Sequence, residues 1–205
     1  MPPQRVRMFY VIPGHTEGMR MFAAALPSPE AVEHLEEFLA VRREHASYRW
    51  TPAEQFHVTL AFSAHVPDRS LDDLLARLER AAAKRRPMQV RLAGGGAFPH
   101  PDRARALFAG LAATEDDRTE LSRLATGARA AFAKAGAKVD GQRFHPHVTL
   151  ARIGRGDNVT SWVRLLDSYE GPPWTLDEIS LVASHLGEGP RRRPRHEVVE
   201  TFPLG

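Results

Sequence analysis

A length of 205 residues, with 42% hydrophobic and 26% charged side chains, is ordinary for a soluble globular protein and is ample for a proper core. The absence of cysteine excludes disulfide bonds, thiolate catalysis and cysteine-based zinc sites, and it fits a cytoplasmic location. A formal charge of +3 at pH 7 is compatible with a phosphate-bearing ligand but does not by itself indicate one.

The first 18 residues differ from the rest of the chain and contain Pro13, Gly14 and Gly18. We expect residues 1–18 to be a poorly ordered extension and residues 19–205 to be the domain. The apolar run at residues 8–12 is too short for a signal-peptide core, and no segment approaches the length of a membrane span. We therefore expect a protein that is not attached to a membrane.

Strands and helices mingle in the first half of the chain. The sequence Ser28-Pro29-Glu30 has the cap residue, the proline and the acid that begin a helix, and Val32, Leu35 and Leu39 follow at helical spacing. Short apolar runs predict strands at residues 20–26, 49–51 and 56–62. Leucines at helical spacing predict a helix at residues 70–84.

The second half repeats this mixture. It has predicted strands at residues 88–98, 105–111 and 147–152, helices at 115–135 and 160–167, and a terminal hairpin of strands 174–185 and 196–202. No regular βαβ repeat occurs, and Gly94-Gly95-Gly96 lacks the spacing of a phosphate or dinucleotide loop, so we interpret it as a bulge or turn. The pattern predicts an α+β fold with antiparallel sheets.

One pentapeptide, His-Val-Thr-Leu-Ala, occurs twice, at residues 57–61 and 147–151. A chance match of this length in a chain of this size has a probability on the order of one in a hundred, so an internal repeat is the better explanation. Because side chains alternate along a strand, each copy presents a histidine and a threonine on one face and two apolar residues on the other.

Two such strands facing one cleft suit hydrolysis at phosphorus. Histidine has an unperturbed pKa of about 6.5, so His57 and His147 can supply one general base and one general acid near neutrality. The hydroxyls of Thr59 and Thr149 can hydrogen-bond the non-bridging oxygens as charge builds there. A single His-x-Thr strand is usually structural, but core packing alone seldom selects the same polar pair twice.

A metal site is the competing interpretation, since His145-x-His147 can place two imidazoles on one face of a strand. Pro146 lies between them, no carboxylate cluster adjoins them, and the first copy lacks the second histidine. We therefore expect neither a metal nor a cofactor.

These residues resemble those of the two-histidine phosphoesterases, in particular the bacterial RNA 2′,3′-cyclic phosphodiesterases, also called 2′-5′ RNA ligases. The similarity runs from the opening strand at residues 21–27, through Arg49-Trp50-Thr51-Pro52 and the first His-x-Thr, to residues 94–99 and 105–111. The stretch from Phe144 to Arg152 is the most specific part.

The resemblance implies a two-lobed, pseudo-symmetric fold in which each lobe is an antiparallel sheet with helices on its outer side and the active-site cleft lies between the lobes. It implies metal-independent opening of RNA 2′,3′-cyclic phosphate ends to a 2′-phosphate, with possible ATP-independent 2′-5′ ligation. By analogy His57 is the acid for the 3′ oxygen and His147 the base for water, although the sequence alone does not separate these roles.

The same resemblance makes Arg152 a phosphate or nucleotide contact, although strict alternation would turn its side chain toward the core with Val148 and Leu150. Arg105 is a further, more peripheral candidate, and His196 stands where relatives often have a tyrosine. The remaining histidines and a serine are expected to be structural (Ser184, His185) or to lie on the surface (His15, His34, His45, His65, His100).

Two questions stay open on the sequence alone. The arginines at 191, 192, 193 and 195 form either a solvated turn or a contact to a nucleic-acid backbone. The substrate is either an RNA end or a small nucleotide such as ADP-ribose cyclic phosphate, and a non-catalytic RNA-binding module is the third interpretation. We expect a monomer.

Overall fold

The computed structural model describes residues 18–141 and 143–205, so the predicted extension lies outside the described residues except for Gly18. The strands in these ranges are β1 (Met19–Ala25), β2 (Arg49–Trp50), β3 (Val58–Val66), β4 (Met88–Phe98), β5 (Ala104–Ala113), β6 (His147–Asp157), β7 (Glu170–Leu176), β8 (Glu178–His185) and β9 (Arg195–Pro203). The α-helices are α1 (Pro29–Arg43), α2 (Leu71–Ala82), α3 (Glu115–Lys134) and α4 (Thr160–Asp167).

The strands form one antiparallel sheet in the order β7-β4-β5-β6-β3-β1-β8-β9, with the short β2 beside β6. Its two lobes meet where β3 pairs with β6 through Val58 and Val148. On one side of this junction lie β1, β8 and β9, and on the other side lie β5, β4 and β7. The two strands that carry the repeated pentapeptide are therefore neighbours at the centre of the sheet.

The lobes exchange strands between the two halves of the chain. The run β1-α1-β3-α2-β4 in the first half matches β5-α3-β6-α4-β8 in the second, apart from the short β2 and the edge strands β7 and β9. In space β4 pairs with β5, while β8 pairs with β1. Each lobe thus takes its third strand from the other half of the sequence, which gives the fold its pseudo-twofold symmetry.

Four helices cover one face of the sheet, α2 and α3 over the lobe of β3 and α1 and α4 over the lobe of β4. Helix α1 begins as the sequence predicts, with the Ser28 hydroxyl accepting a hydrogen bond from the Ala31 amide at 3.2 Å, and it buries Leu35 and Leu39. No helix of the described residues is long and apolar enough to cross a membrane.

One predicted element is wrong. The apolar stretch at residues 174–185 is not one strand but two, because the chain leaves the sheet edge at Asp177. The strand before it, β7, pairs with β4, and the strand after it, β8, pairs with β1 and β9 at the other end of the sheet. The interpretation of the glycine triplet is confirmed: β4 has an extra residue there relative to β5, and Gly94 has a φ of +66°.

Candidate active site

Both His-Thr pairs face the same side of the sheet. In both copies of the repeat the apolar residues Val58, Leu60, Val148 and Leu150 are buried, whereas the histidine and the threonine are partly exposed. Since Val58 pairs with Val148 in an antiparallel ladder, His57 lies opposite Thr149 and Thr59 lies opposite His147. The repeat therefore brings two imidazoles and two hydroxyls to one point, as the alternation predicts.

A cleft of about 1080 Å³ opens on this face of the sheet. All five residues singled out in the sequence line it: His57, Thr59, His147, Thr149 and Arg152. The charges of His147 and Arg152 both contribute to lowering the pKa of His57, so the two imidazoles interact across this cleft.

The two imidazoles are held in the same way. Nδ1 of His57 lies 2.7 Å from the carbonyl oxygen of Gln55, and Nδ1 of His147 lies 2.6 Å from that of His145. A carbonyl oxygen can only accept, so Nδ1 must donate in each case and carries the hydrogen of the neutral ring. Nε2 is then the nitrogen that gains or loses a proton, in both halves of the site.

Aromatic side chains fix the ring planes. His57 stacks on Phe22, with ring centroids 4.5 Å apart, and the ring of His196 lies 5.4 Å away edge-on. His147 lies 5.1 Å from Phe98 and 5.0 Å from Phe108 between ring centroids. These contacts leave little rotational freedom to either imidazole, which favours proton transfer along a fixed direction.

Burial keeps both catalytic candidates neutral in the free protein. The pKa of His57 is lowered to about 4, mainly by desolvation and to a smaller extent by the nearby His196, His147 and Arg152, against the opposing hydrogen bond to Gln55. Desolvation also lowers the pKa of His147. An anion in the cleft stabilises a protonated imidazole, so a bound phosphate raises these pKa values.

The threonine hydroxyls are free for a ligand. Neither Thr59 nor Thr149 makes a side-chain hydrogen bond with any residue in the described ranges. Both hydroxyls line the cleft beside the histidines. Each can donate one hydrogen bond to an oxygen atom of a substrate.

Arg152 reaches the cleft because the strand is irregular. Leu107 and Phe108 of β5 pair with Ala151 and Thr149 of β6, so Leu150 is an extra residue in β6 and forms a β-bulge. Beyond this bulge the side chains of β6 alternate in the opposite sense, which turns Arg152 toward the cleft. The first copy has the same bulge at Leu60 in β3. There the position equivalent to Arg152 is Phe62, which also lines the cleft and carries the guanidinium of Arg20 at 4.3 Å from its ring centroid. The cleft is therefore symmetric at the histidines and asymmetric beyond them.

The other candidates separate into two groups. Arg105 and His196 line the cleft, and the guanidinium of Arg105 donates to the carbonyl of Gly154 at 2.6 Å, which suits a peripheral role. His185 is buried and bonds Glu197 at 3.1 Å, a structural contact, whereas the buried Ser184 lies at the edge of the cleft. The histidines expected on the surface are exposed (His34, His45, His65, His100), and His15 lies outside the described residues.

The arginine-rich turn does not act as one patch. Arg193 lines the cleft and donates to the carbonyl of Trp50 at 2.7 Å. Arg195 pairs with Glu188 and Glu197, while Arg191 and Arg192 are exposed. Only Arg193 of the four is placed to support the site.

The competing metal site at His145 and His147 has no further protein ligands among the described residues. The rings of His145 and His147 are 5.8 Å apart between centroids. Within residues 18–141 and 143–205, no group of three or more histidine, aspartate or glutamate side chains is arranged to hold a metal ion. This pair therefore lacks the third ligand that a typical site requires.

Sequence reasoning missed Phe22 and Arg49 as site residues. Phe22 lies on β1 and Arg49 on β2, and both line the cleft. The alternation of β1 could have shown Phe22 on the face opposite Met21. Arg49 precedes Trp50 in the stretch that resembles the family's lead-in to the first motif, which is the signal that could have identified it.

Comparisons with known proteins agree with this geometry. Residues 24–188 match the family model of the 2′-5′ RNA ligase superfamily. A Thermus thermophilus protein named RNA 2′,3′-cyclic phosphodiesterase is 30% identical over 192 residues, which is 91% of this chain and 90% of that protein. A protein of the same name from Aeropyrum pernix is 35% identical over 113 residues, covering 55% of this chain and 61% of its own length.

Two solved structures have the same architecture. The structure of TT0787 of Thermus thermophilus matches with a TM-score of 0.71 at 30% identity, covering 91% of this chain and 98% of that one. Escherichia coli LigT in its apo form matches with a TM-score of 0.72 at 22% identity, covering 92% and 99%, which bears on the fold alone. The predicted two-lobed α+β fold is confirmed, and with the family match this shows that the chain belongs to the 2′-5′ RNA ligase superfamily.

Proposed function

We propose that this protein hydrolyses 2′,3′-cyclic phosphate ends of RNA to 2′-phosphates by paired histidine acid–base catalysis that needs no metal ion. The observation that carries the proposal is the pair of imidazoles in one cleft. In each of them Nδ1 donates to the backbone carbonyl two residues earlier, and Nε2 is left to exchange protons. The relatives named RNA 2′,3′-cyclic phosphodiesterases support the choice of substrate.

The reaction needs one base and one acid. Nε2 of His147 takes a proton from water, and the water oxygen attacks phosphorus. Nε2 of His57 gives a proton to the departing 3′ oxygen, so the bond from phosphorus to that oxygen breaks and the phosphate remains on the 2′ oxygen. The low pKa of His57 makes its protonated form a strong donor, and the negative phosphate favours protonation when it binds.

The remaining residues stabilise charge. The hydroxyls of Thr59 and Thr149 donate to the non-bridging oxygens, and the guanidinium of Arg152 offsets the negative charge that builds during attack. Joining of RNA ends uses the same arrangement with a 5′-hydroxyl in place of the attacking water. Nε2 of His147 takes the proton of that hydroxyl, its oxygen attacks phosphorus, and the 3′ oxygen departs with the proton from Nε2 of His57, which leaves a 2′-5′ linkage. In the reverse reaction the 3′-hydroxyl attacks and the 5′ oxygen departs, through the same two proton transfers.

The test is hydrolysis of an RNA oligonucleotide with a 2′,3′-cyclic phosphate end in the presence of EDTA. We expect turnover to a 2′ monoester, identified by the position of the phosphate in the product. His57→Gln and His147→Gln should each lower kcat/KM by about a hundredfold or more. His65→Gln is the matched control, because His65 lies on β3, the strand that begins directly after His57, but is exposed and outside the cleft.

Wild-type activity in both single variants, or a 3′-phosphate product, contradicts the proposed mechanism. Loss of activity in EDTA that is restored by a divalent cation contradicts its metal independence.

A further inference from the structure

Two arginines lie directly opposite one another at the edge of the cleft. Arg49 on β2 pairs with Arg152 on β6, and both side chains are exposed and line the cleft. Directly opposed residues of an antiparallel pair have Cβ atoms about 5 Å apart and point to the same face, and like charges in this position destabilise the sheet. Such a pair requires either compensation within the protein or an anionic ligand.

The described part of the protein offers no compensation for this pair. Neither Arg49 nor Arg152 forms a hydrogen bond or an ion pair with any residue of the described ranges. Seven arginines line the cleft, and among its described lining residues the only carboxylate is that of Asp140. The positive charge at this edge is therefore available to a ligand.

The backbone that carries Arg49 is firmly anchored. The Thr51 amide donates to the carbonyl of Leu150, the bulge residue, at 2.8 Å. The indole of Trp50 donates to the Ala46 carbonyl at 3.1 Å, and the carbonyl of Trp50 accepts from Arg193 at 2.7 Å. A two-residue strand would otherwise be weakly held, so these bonds keep Arg49 at a fixed position beside Arg152.

The two arginines differ in their relation to the histidines. Arg152 lies on β6, the strand that carries His147 and Thr149, and it is among the charges that lower the pKa values of both His57 and His147. Arg49 lies across the ladder on the separate strand β2 and is not among the causes of either shift. Arg152 therefore serves the phosphate between the histidines, which leaves the charge of Arg49 for a second phosphate. The cleft, at about 1080 Å³, also lies at the top of the range of about 300–1,000 Å³ for pockets that hold drug-sized ligands, which gives room for a second nucleotide beside the first.

We propose that Arg49 binds the internucleotide phosphate next to the cyclic end and so makes the protein prefer an RNA chain to a single cyclic nucleotide. This inference rests on the proposed function. The guanidinium of Arg49 donates hydrogen bonds to the oxygen atoms of this internucleotide phosphate. A cyclic mononucleotide has no internucleotide phosphate and therefore lacks the contact.

The experiment compares a short RNA ending in a 2′,3′-cyclic phosphate with the mononucleotide of the same terminal nucleoside, in wild type and Arg49→Gln. We expect kcat/KM for the RNA to fall by about tenfold and that for the mononucleotide to stay within about twofold. In Arg49→Gln the salt dependence for the RNA should be shallower by about 0.7 in the slope of log kcat/KM against log salt. Arg155→Gln is the control, since Arg155 is exposed on β6 outside the cleft.

Equal losses on both substrates overturn the inference, because Arg49 would then serve the reacting phosphate. Unchanged activity on both substrates overturns it as well. If wild type hydrolyses neither substrate, the proposed function itself fails and this inference fails with it. Arg49→Lys, which keeps the charge, should recover part of the preference for RNA and so show that the loss does not come from a change in the fold of β2.

Discussion

The neutral imidazole of His57 should make the protein lose stability as the pH falls. In the unfolded chain His57 titrates near 6.5, whereas in the folded protein burial lowers its pKa to about 4. Between these values the unfolded state binds the proton and the folded state does not, so acid favours unfolding. This shift corresponds to a loss of about 2 kcal/mol at pH 5 and about 3 kcal/mol at pH 4, relative to pH 7.

Urea unfolding of wild type and His57→Gln at pH 7 and pH 5 measures this contribution. Both proteins share every other titrating group, including His147 and His196, so those contributions largely cancel in the comparison. We expect wild type to lose about 2 kcal/mol more than the variant between the two pH values. The variant should therefore gain relative stability in acid, although it has lost a side chain of the active site.

The result also bears on catalysis. If the two proteins lose the same free energy of unfolding, His57 is not held neutral, and the reasoning that a bound phosphate must protonate it is wrong. An NMR titration of the His57 ring separates the possibilities, because its midpoint should lie well below 6.5 in the free protein and rise when inorganic phosphate is added.

Two further predictions concern the neighbours of the histidines. Thr149→Val should lower kcat/KM by about ten- to a hundredfold with little change in the free energy of unfolding, because it removes only the hydroxyl. Thr149→Ser, which keeps the hydroxyl, should retain most of the activity. A Val variant as active as wild type would exclude the hydroxyl from the reaction. His196→Phe keeps the aromatic contact to Phe22 but removes a charge that lowers the pKa of His57, so the His57 midpoint should move upward by NMR. The alkaline limb of the pH profile, where the general acid His57 loses its proton, should move upward with it. An unmoved midpoint would make the contact purely one of packing.

Local sequence signals predicted most of the elements and the centre of the site. Ser28 and Pro29 mark the start of α1 because capping is decided within one turn of helix. The repeated pentapeptide predicted the faces of His57 and His147 because alternation is a local property of a strand. These features depend on a few consecutive residues, which is why one sequence was enough.

The features that the sequence did not show depend on distant pairing. The break at Asp177 lies in an apolar stretch that is locally compatible with one long strand, and it arises because β7 and β8 pair at opposite ends of the sheet. The inward turn of Arg152 depends on a bulge at Leu150 that only the pairing with β5 reveals. Arg49 could not be identified as a site residue because its partner, Arg152 on β6, is about a hundred residues away in the sequence.

The exchange of β4 and β8 between the lobes has a consequence for any attempt to divide the chain. A fragment with only the first half keeps β1 and β3 but has lost β8, so β1 would present an unpaired edge, and its own β4 would have no β5 to join. Two copies of such a fragment could exchange β4 around a twofold axis and so fill each other's unpaired sheet edges. One histidine from each copy would then lie at the axis. The cleft between the lobes thus has the geometry of the interface of a closed dimer whose two subunits have been joined into one polypeptide.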